Sequence, residues 1–157
     1  MASSNQERMI QLAEDVFAAR TDPNQLDVNN RVIEHLQKIH PATMSEYDDG
    51  NGPVAWILGI PTTLELMNKF LEHKISEKEL YELTPLNTKY EAVYLCSALV
   101  LEEYRGKGIA KKLAIEAIER IKKDHPIKAL FVWAFSKEGE ALAEKVAGIT
   151  QLPLKKR

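Results

Sequence analysis

The segment Arg105-Gly106-Lys107-Gly108-Ile109-Ala110-Lys111-Lys112 carries two glycines, three lysines and an arginine in eight residues. Glycines lack a Cβ, so the backbone there can turn sharply and approach a ligand. A helix that opens behind them presents N–H groups with no intrahelical partner. Such donors at a helix N-terminus, with cations close by, suit the oxygens of a phosphate. The spacing narrows the class. A Gly-x-x-x-x-Gly-Lys-Ser/Thr loop needs wider glycine spacing and a hydroxyl for magnesium, whereas Ile109 and Ala110 follow Gly108 here. A Gly-x-Gly-x-x-Gly turn needs a third glycine where Lys111 stands. A phosphate-bearing cofactor of another kind is expected.

Other side chains could move protons. Tyr94 and Glu91 stand on the apolar stretch before the loop and are candidate bases, with Glu46 and Asp48 as further carboxylates. Each also has a structural reading: Tyr94 as a core aromatic, Glu91 as a solvated strand end, Asp48 and Asp49 as turn residues. Cys96, the single cysteine, lies in the same stretch without an evident base and reads as a packed thiol. His35, His40 and His73 lack metal-ligand spacing, so no metal is expected.

These residues need a scaffold. Residues 91–101, Glu-Ala-Val-Tyr-Leu-Cys-Ser-Ala-Leu-Val-Leu, are nearly continuously apolar, the signature of a strand buried on both faces. After the loop, Ile109, Ala110, Leu113, Ala114, Ala117, Ile118 and Ile121 share one helical face to about 123. Residues 128–134 predict a second buried strand, Ser136 a helix cap, and Ile149 to Leu154 a short final strand. A strand–helix–strand unit of this kind makes a parallel crossover, with ligands at the strands' carboxyl ends. Upstream, Ser4-x-x-Glu7 caps a helix over roughly 5–20, and Asp22-Pro23 opens a second helix that ends at His40-Pro41. Residues 42–60 predict a hairpin turning at Asp48-Asp49-Gly50-Asn51-Gly52, its second arm stopped by Pro61. Capping boxes at Thr62-x-x-Glu65 and Ser76-x-x-Glu79 predict two short helices near 63–73 and 77–83.

Composition agrees with one α/β domain over 1–157, divided into a helical part at 1–41 and a sheet-containing core at 42–154. The chain is 45% apolar and 28% charged, with a net charge of −2. That balance suits a globular domain and gives no support to nucleic-acid binding. No run approaches the ~20 apolar residues of a membrane span. The start lacks a signal-peptide layout, so a cytoplasmic location is expected.

Leu99-Val100-Leu101-Glu102-Glu103-Tyr104-Arg105-Gly106-Lys107-Gly108-Ile109-Ala110 resembles the central motif of the GNAT N-acetyltransferase superfamily, Gln/Arg-x-x-Gly-x-Gly/Ala after a strand and a short turn. Arg105, Gly108 and Ala110 match its fixed positions, and the resemblance covers about 42–154. It implies a mixed central sheet with a strand–glycine loop–helix–strand–helix core; the N-terminal helices are compatible with it, and a helical insertion at about 62–84 departs from the family pattern. It implies acetyl-CoA as co-substrate, its pyrophosphate on the backbone of Arg105, Gly106, Lys107, Gly108, Ile109 and Ala110, with Lys111 close by. Ala98, Leu99 and Val100 would hydrogen-bond the pantetheine arm, and Ser136 stands where many members carry a contacting asparagine.

The resemblance further implies direct acetyl transfer to an amine in a ternary complex, with a backbone N–H near Val100 polarising the thioester. Ala143 occupies the position where many members carry an acidic tyrosine. A coenzyme-binding module with little catalysis, or an interaction protein retaining the fold, are the alternatives. The acceptor is an unidentified small-molecule or peptide amine. The chain opens on a helix and closes at Arg157, so the family's first strand and last hairpin are expected to be missing. The sheet edge this leaves is expected to be covered by a second copy, giving a homodimer.

Overall fold

The computed structural model describes residues 4–19, 30–133 and 136–157. The predicted hairpin forms around Asp48, whose Oδ1 accepts from the N–H groups of Gly50 (2.7 Å) and Gly52 (3.1 Å). Both glycines take positive φ, 103° and 109°, which only glycine adopts readily. The turn joins β1 (Met44–Asp48) to β2 (Pro53–Thr62), and β2 pairs antiparallel with β3 (Ala92–Val100). Parallel pairing then adds β4 (Ala129–Val132) and β5 (Leu154–Lys156), so the five strands lie in the order β1-β2-β3-β4-β5.

Pro61 lies inside β2 instead of stopping it. Glu91 N–H donates to Thr62 O, so residue 62 faces β3 and Pro61 faces the other way. On that side β1 pairs no further along β2 than Leu58, and the missing N–H of proline deprives no partner strand.

Six helices lie among the described residues. They are α1 (Asn5–Ala19), α2 (Asn30–Ile39), α3 (Leu64–Leu71), α4 (Glu77–Leu83), α5 (Ile109–Asp124) and α6 (Lys137–Thr150). The expected start of the second helix at Asp22-Pro23 lies outside the described residues. Thr63 caps α3, and Ser76 and Glu79 close a reciprocal capping box on α4. The final strand is displaced from its expected place at 149–154. Thr150 Oγ1 bonds back to Val146 O (2.8 Å), and Gln151, at φ 58°, ends α6 where a glycine often stands.

The helices cover the sheet on both faces. Met9 of α1 packs with Val54, Leu99 and Leu101, partly joined by Trp56. Alternation along β2 puts Val54, Trp56, Leu58 and Ile60 on that face. Tyr94 pairs with Ile60, and Tyr94 meets Phe70 of α3 and Glu77 of α4. So α1, α3 and α4 share one face. Against the other, α5 lays Leu113, Ala114, Ala117, Ile118 and Ile121.

Candidate functional site

β3 and β4 are neighbours only from Ala92↔Ala129 to Leu95↔Val132. β4 ends there, while β3 runs on to Val100 beside β2. Among the described residues no strand accompanies residues 96–100 on the β4 side. The register on β2 slips between Leu58 and Gly59, so Cys96 is an extra residue, a bulge that bends β3 where it leaves β4. Leu101 N–H donates to Val54 O, towards β2. By alternation the N–H and C=O groups of Ala98 and Val100 face the opening. Arg105 Nε reaches back to Val100 O at 3.0 Å.

The glycine loop closes the top of this opening. A 3-10 turn at Glu102–Tyr104 leads into Gly106 and Gly108, at φ 77° and 76°. A Cβ at either glycine would meet no heavy atom within 4 Å, so the demand there is backbone conformation and open approach, not crowding. Gly108 is the N-cap of α5 and supplies no side-chain cap, which leaves the first-turn N–H groups of a 16-residue helix directed outward. Lys107 lies over the Tyr104 ring at 5.4 Å. A cavity of about 300 Å3 opens beside the loop, lined by Tyr47, Lys107, Gly108, Ile109, Lys112, Leu113 and Glu116.

The approach to the loop is anchored from α1 and the hairpin. Arg8 pairs with Glu103 at 2.6 Å, and the Tyr104 hydroxyl donates to Asp49. That bond pushes the Tyr104 phenol above its ordinary value and holds the Asp49 carboxyl below its own.

The structure sorts the remaining candidates by place. Arg105, Gly106, Lys107 and Gly108 are exposed, and Ile109, Ala110 and Lys111 half-buried, around the outward N–H groups. Ala98 is exposed, Val100 half-buried, and Leu99 turns under α1. Ser136 caps α6, accepting from Gly139 N–H at 3.0 Å, and stays exposed. Tyr94 is fully buried and donates to Glu77 Oε2 at 2.5 Å, within an aromatic stack on Phe131. Glu91 pairs with Lys128 at 2.9 Å, four residues before Leu95 and so ~13 Å from the opening. The structure brings neither to the exposed part of the opening. Glu46 accepts from Trp56 Nε1 (2.8 Å), and Asp48 holds its turn. Ala143 is buried on α6.

Three residues near the opening escape a reading by motif. Glu77 is 1% exposed, and its Oε2 also lies 4.0 Å from Cys96 Sγ. Ser97 Oγ and Arg157 Nη1 are buried without a hydrogen-bond partner. The only sequence signal for Glu77 is an acid in a first helical turn, which is ordinary there.

Among the described residues no group of three or more His, Cys, Asp or Glu could hold a metal ion. No described helix is long and apolar enough to cross a membrane. Residues 9–148 match the Acetyltransferase (GNAT) family. A search of curated proteins returns no match.

Proposed function

The chain belongs to the GNAT acetyltransferase family, and from that premise we propose that it transfers an acetyl group from acetyl-CoA to an amine. One observation carries the reading: β3 leaves β4 after Leu95, and the uncapped N-terminus of α5 follows on the same strand. The pantetheine arm, being amide-like, would lie along β3 as an added strand and bond Ala98 and Val100. The pyrophosphate would take the N–H groups at 108–111, aided by Lys107 and Lys111. Tyr47 and Lys112 line the adjoining cavity, which would receive a further part of the coenzyme.

The thioester would then lie near the bulge. A backbone N–H of β3 directed into the opening polarises its carbonyl as charge develops on oxygen. The amine attacks in the ternary complex, the C–S bond breaks, and the thiolate takes up the proton released by nitrogen. Ala143 offers no acid for that step, and this favours a second reading, coenzyme binding with little catalysis.

Thermal unfolding with acetyl-CoA, CoA and ATP tests the binding half. Ligand at ~100 times its Kd stabilises by ~2.7 kcal/mol. Both CoA forms are expected to raise Tm and ATP to do so less. No shift with either CoA form rejects both readings. Thiol release over an amine panel separates them: a binding module gives the shift and no release.

A further inference from the structure

Arg157 Nη1 is buried and has no hydrogen-bond partner. A buried donor of that kind is costly, and its presence calls for an explanation. Its surroundings fix it in place. Arg157 N–H donates to Val132 O at 3.0 Å, which aligns the residue with the last position of β4. Its guanidinium lies 4.4 Å from the Phe70 ring centre and 4.6 Å from that of Trp133. Nε donates to His73 Nδ1 at 3.2 Å. Two aromatic faces and one imidazole therefore orient a cation that no carboxylate neutralises among the described residues.

Val132 is the partner of Leu95 in the last β3–β4 pair, so Arg157 stands level with the point where the strands part. That is the carboxyl end of the parallel strands, where ligands bind in open α/β sheets. Phe70 and Trp133 lie on the face shared with Tyr94. β5 is two strand spacings from β3, so Arg157 and the opening are ~10 Å apart at the backbone.

We propose that Arg157 binds a carboxylate on the acceptor, so that the substrate is an amine carrying a carboxylate, with the half-buried Trp133 beside the carbon chain between them. The inference rests on the acetyl-transfer reading and names its acceptor class. Two flanking cations are engaged elsewhere, Lys156 with Glu140 (2.7 Å) and Glu144 (2.6 Å), and Lys74 with Glu72 (3.0 Å). A single guanidinium suits a planar carboxylate, whereas a phosphate dianion calls for more donors.

The test uses the full chain and straight-chain amino acids from glycine to aminohexanoate, each compared with its carboxamide. Thiol release is expected to favour the acid by about ten- to hundred-fold in kcat/KM at one chain length, the worth of a charge-assisted hydrogen bond. Arg157→Gln is expected to abolish that ratio through KM and leave the acetyl-CoA thermal shift unchanged. Arg157→Lys keeps the charge without the fork and should recover only part of it. Equal rates for acids and amides, a ratio that survives Arg157→Gln, or a preference for phosphoethanolamine overturns the inference. A second readout needs no turnover. In Trp56→Phe protein, the fluorescence of Trp133 should respond saturably to the preferred acid and lose that response with Arg157→Gln. No response to any acid also overturns it. A response without any acetyl-CoA shift keeps the carboxylate site and sinks acetyl transfer instead.

Discussion

Gly108 and Gly50 offer a paired test of the proposed cofactor loop. Both have positive φ, 76° and 103°, and at both an added Cβ would meet no heavy atom within 4 Å. Valine at either position is therefore strained by the backbone and not by a clash. The left-handed conformation costs a branched L-residue roughly 1–2 kcal/mol. For a chain of this size 1 kcal/mol moves Tm by ~2–4 °C, so each variant should melt roughly 2–8 °C lower. The two sites differ in what the valine faces. Gly50 tips the hairpin, whereas Gly108 caps α5 in front of its outward N–H groups. CoA at ~100 times its Kd should raise the wild-type Tm by ~5–11 °C, from ~2.7 kcal/mol of linkage. Gly50→Val is expected to keep that increment and Gly108→Val to lose it. The assay is a thermal melt of three proteins with and without CoA. If Gly108→Val keeps the full increment, the phosphates do not sit on the α5 N-terminus. If both variants lose it, strain rather than position is responsible.

Three further outcomes follow from the packing around the opening. Tyr94→Phe removes the bond to Glu77 and should lower stability by ~1–3 kcal/mol, read as a lower urea midpoint at constant m-value; an unchanged midpoint would deny the pair a structural role. Met9→Ala empties the fully buried contact under Leu99 and Leu101, at ~2–5 kcal/mol, and amide exchange in α1 should quicken more than in α5. Burial, then the charges of His40 and Lys89, hold the His125 imidazole below its ordinary value. The unfolded chain takes up that proton first, so this contribution is complete above about pH 6.5 and is lost as pH falls below it. His125→Gln should flatten the Tm profile between about pH 7 and 5, while the Asp124 carboxyl, held low by its bond to His40, acts only in the acid range below its unfolded value near 4.

Local chemistry was the legible part of this chain. The turn at Asp48–Gly52, the capping box at Ser76 and the loop at Arg105–Ala110 each depend on residues a few positions apart, and each forms where its pattern lies. Long-range pairing was not legible. Pro61 can remain in β2 only because β1 pairs no further than Leu58, a fact of register. Glu77 has the sequence context of a solvated first-turn acid, and only the return of α4 over Tyr94 and Cys96 buries it. Nothing local in the basic tail 155–157 tells its cations apart; pairing with β4 turns Arg157 onto Phe70 and Trp133 while Lys156 meets Glu140 and Glu144. The proposed cofactor site was readable because it is built from one continuous segment. The proposed acceptor site draws on α3 and the ends of β4 and β5.

Ser97 allows stability and chemistry to be separated at that junction. Its Oγ is buried without a partner two residues beyond Leu95, where β4 no longer flanks the strand. An unmet buried hydroxyl costs ~1–3 kcal/mol, so Ser97→Ala should unfold at the same temperature or higher. On the acetyl-transfer reading the same hydroxyl lies beside the thioester, and it can donate to the carbonyl oxygen or the leaving sulfur, a role that Ala143 cannot fill. A single donor placed where charge develops is worth on the order of a hundred-fold in rate. The variant should therefore show kcat reduced by roughly ten- to hundred-fold, KM for acetyl-CoA nearly constant, and no loss of Tm. Such a pairing of higher stability with lower activity marks a polar group retained for function. A lower Tm with kcat intact would show instead that the hydroxyl is structural, and would remove it from the reaction.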